Sequence, residues 1–95
     1  MRLLSWNIQW GRGMDGRVEL ARIAGVIRAL GDFDAICLQE VAVNFPGLPG
    51  GRGENQVAAL AALFPDHTPI YGAATDVPNP RGGRSQFGNL ILSRL

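Results

Sequence analysis

The chain opens on the stretch RLLSWNIQW, residues 2–10, in which apolar and polar side chains alternate from Leu4 onward. Alternation with a period of two is typical of a β-strand that buries one face. Glycines at positions 11 and 13 are expected to end the strand. The face predicted to lie in the core carries Leu4, Trp6, Ile8 and Trp10.

A helix is predicted for residues 17–30, because apolar side chains recur there at three- and four-residue spacing. Asp15 is the expected cap at its start, and Gly31 the expected stop. The next run, DAICLQEV at residues 34–41, is short and apolar and predicts a buried strand with Cys37 in the core.

The second half of the chain predicts one more helix and two more strands. A proline- and glycine-rich loop over residues 44–53 precedes a helix at 54–64, which Pro65 ends. Strands are expected at 68–75 and 87–95, with a loop between them. The order β-α-β-α-β-β indicates an α/β (α+β) fold class with no internal repeat.

Composition excludes several classes of protein. The chain has 95 residues, 46% of them hydrophobic and 18% charged, which is typical of one small globular unit. A single cysteine rules out an internal disulfide framework, and no apolar run is long enough to span a membrane. A soluble, cytoplasmic protein is expected. The net charge of +1, from nine arginines and no lysine, is too small to indicate nucleic-acid binding by itself.

Asn7 and Glu40 are the first candidates for chemistry. Each interrupts an apolar strand near its carboxyl end, where α/β proteins place ligand sites. A carboxylate there can hold Mg²⁺, which takes one or two protein carboxylates together with water and phosphate oxygens. The alternative is structural: Glu40 begins a turn and Asn7 caps the end of a strand.

Two glycine–arginine segments and one histidine are weaker candidates. Residues 50–53 (GGRG) and 81–84 (RGGR) could hold a phosphate through backbone N–H groups and guanidinium groups, or could be ordinary flexible loops. His67 follows the end of the second predicted helix and is expected to be a surface loop residue.

Three segments together resemble the endonuclease/exonuclease/phosphatase superfamily, whose members include DNase I: Trp6-Asn7-Ile8, Leu38-Gln39-Glu40-Val41 and the late run 88–94, GNLILSR. The resemblance extends over nearly the whole chain. It implies that residues 1–95 are the N-terminal part of one two-layer β-sandwich flanked by helices. It also implies hydrolysis of phosphodiesters or phosphomonoesters, nuclease activity among them, with Mg²⁺ or alternatively Mn²⁺.

The resemblance assigns roles by position. Glu40 matches the metal-binding glutamate of the family, and Asn7 the asparagine beside the metal and the substrate phosphate. Arg81 and Arg84 lie in a loop that the family places near the mouth of the site, which implies contact with the substrate. Asn89 matches a structural strand.

Two family motifs have no counterpart in this sequence: an Asp-x-Asn pair and a Ser-Asp-His segment, both further along the family chain. The expectation is therefore a metal-dependent phosphoesterase that needs a missing C-terminal half, in the same protein or a companion chain. These 95 residues alone should be inactive. The alternatives are a non-catalytic scaffold that keeps the fold and an unrelated small α/β binding domain. The substrate stays open among nucleic acids, phosphoinositides, sphingolipids and small phosphoesters.

Overall fold

Four strands and two helices follow one another in the predicted order β-α-β-α-β-β. The structure is a computed structural model that describes residues 1–95. Its elements are β1 (Leu3–Asn7), α1 (Leu20–Leu30), β2 (Ala35–Val43), α2 (Gln56–Leu63), β3 (Thr68–Pro78) and β4 (Arg84–Ser93). Neither helix has the length and apolar character needed to cross a lipid bilayer.

The strands form one mixed sheet in the order β1-β2-β4-β3. β1 and β2 run parallel and are joined by α1, as a parallel pair requires a crossover connection. β4 pairs antiparallel with both β2 and β3. The carboxyl ends of β1 and β2 therefore meet at the same edge of the sheet as the β3–β4 turn.

The core lies between the two helices and one face of this sheet. Across that face, Trp6 pairs with Leu38, Leu38 with Leu90, and Leu90 with Tyr71. Leu38 and Leu90 are fully buried, and the helices contribute a further set of buried side chains: Ile23, Ala24, Ile27 and Leu60. Trp6 packs against this cluster, as predicted.

The opposite face of the sheet has no layer over it. Its central row runs Ser5, Cys37, Ile91, Ile70 across the four strands. Ile91 is 39% exposed and Ile70 56% exposed. The prediction that Cys37 lies in the core is wrong, because this side chain is on the uncovered face and only partly buried.

The first strand is shorter than predicted. β1 ends at Asn7, and a 3-10 turn at Gln9–Gly11 takes the chain out of the sheet. Gln9 and Trp10 both have positive φ, near 49° and 47°. Trp10 therefore leaves the strand face, and its indole Nε1 donates to the Pro49 carbonyl at 2.9 Å.

The first helix begins three residues later than predicted, at Leu20, and ends at Gly31 as expected. Asp15 does not cap it. The Asp15 carboxylate accepts the Arg17 N–H at 3.0 Å and forms an ion pair with Arg22 at 3.0 Å. Arg22 comes from inside the helix, so this contact fastens the preceding loop to α1.

The β3–β4 hairpin is longer than predicted. Pairing continues to Pro78 opposite Arg84, which leaves only residues 79–83 for the turn. Pro78 is tolerated in β3 because this strand lies at the edge of the sheet, while Gly82 and Gly83 remain in the turn. His67 lies at the start of the hairpin and is half-buried, with Nε2 2.7 Å from the Phe33 carbonyl oxygen.

Gly88 is a position where β4 has no room for a side chain. A Cβ there would overlap the Gly72 carbonyl oxygen and lie 2.9 Å from the Ala73 Cα. Gly88→Ala should lower the free energy of unfolding by about 1–3 kcal/mol, since backbone atoms must move. Gly72→Ala is the matched control, because a Cβ there meets nothing within 4 Å. Urea unfolding followed by circular dichroism measures the free energy of unfolding of both variants. A Gly88→Ala variant as stable as the parent protein would contradict this packing.

The Asp15–Arg22 contact predicts a pH dependence of stability. The hydrogen bond from Arg22, helped by the Arg17 N–H, lowers the pKa of Asp15 from 3.8 to about 2. A lowered folded-state pKa adds stability that is complete above pH 4 and is lost as the pH falls through 2. Asp15→Asn should lower the melting temperature at pH 7 and have a much smaller effect at pH 2, because Asp15 is then largely protonated in the unfolded chain and about half protonated in the folded protein. An equal difference at both pH values would show that the ion pair is not the cause.

Candidate metal and phosphate site

The sheet brings Asn7 and Glu40 to neighbouring positions. Asn7 is the register partner of Gln39, and the Ile8 N–H donates to the Gln39 carbonyl at 3.1 Å. Glu40 follows directly, so the Cα atoms of Asn7 and Glu40 lie no more than about 9 Å apart. The parallel pairing of β1 and β2 thus joins at one rim two residues that are 33 positions apart in the sequence.

Glu40 occupies a distorted point in β2. The pairing of β2 with β4 shifts between Leu38 and Val41, which is a β-bulge. Glu40 has φ +59°, in the left-handed region that glycine favours. Bulges of this kind are over-represented next to active sites, where they redirect a side chain.

Two side chains fasten the strand immediately after the bulge. The Tyr71 hydroxyl donates to the Val41 carbonyl at 2.7 Å. The Ala42 N–H donates to Oε1 of Gln56 at 3.0 Å, and Gln56 Nε2 donates to the Trp10 carbonyl at 2.8 Å. Gln56 is 1% exposed and ties the β1 end to β2. Burial raises the pKa of Tyr71, so its hydroxyl remains a donor at neutral pH.

Sequence reasoning did not find these two supporting residues. Gln56 was visible only as an amide at the start of an apolar helix, and Tyr71 only as an aromatic in a strand. Their partners lie 14 and 30 positions away, and no spacing pattern encodes such contacts.

The carboxylate of Glu40 has no counter-charge within the chain. The five ion pairs use other acidic side chains, namely Asp15, Glu19, Asp32, Asp34 and Asp76. Asn7 is partly engaged, because its Oδ1 accepts the Gln9 N–H at 3.1 Å and holds the turn after β1. A carbonyl oxygen has a second lone pair, so this bond does not prevent Asn7 from contacting a ligand.

This donor set fits a hard divalent cation in part. One uncompensated carboxylate and one amide oxygen are ligands of the type that Mg²⁺ takes, with water and phosphate oxygens completing its shell. No group of three or more His, Cys, Asp and Glu side chains is placed to hold a metal. Glu40 and Asn7 thus remain predicted site residues, adjacent and chemically suitable.

The two predicted substrate arginines lie in different surroundings. Arg84 is held by Asp76: its Nε donates to Oδ1 at 2.8 Å and its Nη2 to the Asp76 carbonyl at 3.1 Å. Arg81 forms no ion pair and lines a cleft of about 400 Å³ with Arg52 and Asn79. Both arginines remain predictions as substrate contacts, and Arg81 has the free guanidinium group.

The chain is similar in sequence and in structure to known proteins. The sequence model of the Endonuclease/Exonuclease/phosphatase family matches residues 4–95. The chain belongs to this family. A solved structure, described as the endonuclease/exonuclease/phosphatase from Beutenbergia cavernae DSM 12333, is 37% identical with a TM-score of 0.75. The match covers 99% of this chain and 26% of that one. No functionally curated protein matches the chain significantly.

Membership confirms the expected family and the fold class, a mixed α/β fragment of the DNase I-like type. Members of the endonuclease/exonuclease/phosphatase family generally hydrolyse phosphate esters and typically depend on a divalent metal. The chain spans about a quarter of the length of the solved relative, so the chemistry of a whole domain is a matter for proposal.

The positive φ of Glu40 predicts that a side chain at this position lowers the free energy of unfolding. The left-handed region costs about 1–2 kcal/mol for a residue with a Cβ, and glycine adds unfolded-state entropy of about 0.4–1 kcal/mol. Glu40→Gly should therefore raise the free energy of unfolding by about 0.5–1 kcal/mol. Glu40→Ala keeps the strained backbone and should give no gain. Equal stability of the two variants in chemical denaturation would contradict the strain.

Proposed function

We propose that the intact protein is a divalent-metal-dependent phosphoesterase that uses Glu40 and Asn7. The observation that carries the proposal is the uncompensated Glu40 carboxylate at a β-bulge, next to the register partner of Asn7. Family membership supports the reaction class. Mg²⁺ is the proposed ion, with Mn²⁺ as the alternative, and nucleic acid is among the candidate substrates.

The chemistry divides between the ion and the side chains. A divalent ion, when bound, polarises a phosphoryl oxygen and stabilises the charge of the transition state. Glu40 supplies the anionic ligand, and the bulge fixed by Tyr71 and Gln56 keeps its carboxylate at the rim of the sheet. The Asn7 Oδ1 accepts the Gln9 N–H at 3.1 Å, and its amide would help to hold the ion and the phosphate.

The uncovered face of the sheet supports a second part of the proposal. Leu3, Ile70 and Ile91 are exposed on the face opposite the hydrophobic core cluster of Leu38, Leu90 and the helices. An apolar sheet face of this kind is normally covered by another layer. We propose that residues 1–95 form the N-terminal part of a two-layer domain. The remaining layer, in the same protein or a companion chain, supplies the groups that activate the attacking water.

Variants of the intact protein test the assignment through hydrolysis of bis-p-nitrophenyl phosphate and p-nitrophenyl phosphate. Glu40→Gln should lower the Mg²⁺-dependent rate by about 100-fold or more, and Asn7→Ala by about 10–100-fold, as for residues at and beside a metal. Raising the Mg²⁺ concentration should restore part of the Glu40→Gln rate, because the lesion is in metal affinity.

Asp66→Asn is the charge-matched control and should be unaffected, since Asp66 lies in the turn before β3, at the far end of the sheet. Unchanged metal affinity in Glu40→Gln would remove Glu40 from the site. An intact protein that binds Mg²⁺ and Mn²⁺ without hydrolysing either ester would favour the non-catalytic scaffold instead.

A further inference from the structure

The two glycine–arginine segments, far apart in the sequence, come together at one edge of the sheet. Arg52 lies in the loop after β2 and Arg81 in the β3–β4 turn, and both line the same cleft of about 400 Å³. Its walls are otherwise polar amides, prolines and glycine backbone, without any acidic side chain. We propose that this cleft binds a phosphate group of a ligand, separate from the phosphate that would meet Glu40.

The floor of the cleft is already fixed. Asn44 Nδ2 donates to the Gly82 carbonyl at 3.2 Å, which ties the first loop to the turn. In return, Asn79 Nδ2 donates to the Asn44 carbonyl at 2.9 Å and the buried Ser85 hydroxyl to the same carbonyl at 2.7 Å. Asn79 Oδ1 also accepts the Arg81 N–H at 2.8 Å. A preorganised pair of loops lowers the entropy cost of binding an anion.

The two guanidinium groups are free for a ligand. Every ion pair of the chain uses Arg22, Arg84 or Arg94. The acid closest to Arg52 in the sequence is Glu54, whose carboxylate interacts electrostatically with Arg52 without forming an ion pair. Its Oε2 accepts the Arg52 N–H at 2.8 Å and its Oε1 accepts Gln56 Nε2 at 2.9 Å. The planar guanidinium fork matches two phosphate oxygens at once, and arginine is over-represented where phosphate is recognised in this way.

The cleft is distinct from the Glu40 rim. The first loop leaves β2 at Val43, three residues beyond Glu40, which is about 10 Å along a strand. One phosphate group cannot span that distance, so the cleft would hold a second phosphate of the same ligand. It rests on the proposed function only for the identity of the first phosphate.

A neighbouring groove indicates the direction in which a longer ligand would run. Arg52 also lines a groove of about 350 Å³ with Arg17, Val18, Glu19 and the backbone of Gly16 and Gly50. The Glu19 carboxylate is paired with Arg22 at 3.8 Å. Arg17, like Arg52 and Arg81, takes part in no ion pair. Three free arginines thus follow one another along the loops at this edge.

Direct binding to the intact protein tests the cleft without metal or catalysis. Inorganic phosphate and pyrophosphate are titrated in the presence of EDTA and followed by calorimetry. Arg52→Gln and Arg81→Gln should each weaken binding about tenfold, the usual effect of losing a charged hydrogen-bond donor. Arg2→Gln makes the same change in charge at the start of β1, where Arg2 lies over the Phe33 ring, and should bind as the parent does.

Two longer probes distinguish the source of the phosphate. For a single-stranded oligonucleotide, the double variant Arg52→Gln/Arg81→Gln should reduce the slope of log affinity against log salt by about 1.4. For inositol trisphosphate, the same double variant should weaken binding about 100-fold. A reduced salt slope assigns the cleft to a nucleic-acid phosphate, and weaker binding of inositol trisphosphate assigns it to an inositol phosphate.

Identical affinities of the parent, the double variant and Arg2→Gln for all four probes would overturn the inference. Glu40→Gln should abolish metal-dependent hydrolysis but leave phosphate binding in EDTA unchanged, because Glu40 does not line this cleft. The hydrolysis assay therefore tests the proposed function, and the binding assay tests the cleft separately.

Discussion

The β-bulge at Glu40 is the point on which the candidate site depends. Without the register shift between Leu38 and Val41, the side chains of β2 would continue to alternate between the two faces of the sheet. The face on which the Glu40 side chain lies would then follow from this alternation alone. Gln56 and Tyr71 hold the strand on the far side of the shift, and Gln56 also reaches the turn that ends β1. One buried amide therefore couples both strands that carry the candidate residues, so the distances within the site depend on the packing of α2.

The sheet is the second constraint, because its two faces have different roles. One face carries the row of Leu38 and Leu90 beneath the helices, where the hydrophobic core cluster lies. The other presents Ile70 and Ile91 to solvent on strands that are otherwise well paired. The same strands that expose this face also carry Asn7 at its rim, so a layer covering the face would lie next to the candidate site. Such a layer would both bury the apolar face and border the candidate site.

Charge is arranged unevenly over the molecule although the net charge is only +1. At the start of β2, Arg94 forms ion pairs with both Asp32 and Asp34, so one guanidinium group is shared by two carboxylates. At the opposite edge, Arg52 and Arg81 form no ion pair and lie within loops that are fixed by amide hydrogen bonds. A local field of this kind does not appear in a sum over the sequence, since the sum counts paired and unpaired groups alike.

The sequence by itself determined the order of the elements, the apolar stripe of α1, the faces of Leu4 and Trp6, and the family, because these depend on local periodicity and on short motifs. Local pattern could not place Cys37, since an apolar run does not tell which face of a strand will be covered. It also misjudged the end of β1 and the length of the hairpin, where cross-strand pairing and the Gln9–Gly11 turn override propensity. Only the tertiary structure decided that Asn7 lies near Glu40, that Gln56 and Tyr71 hold the strand after Glu40, and that Arg52 and Arg81 line one cleft. Each of these arrangements brings together residues distant in sequence through the pairing of strands.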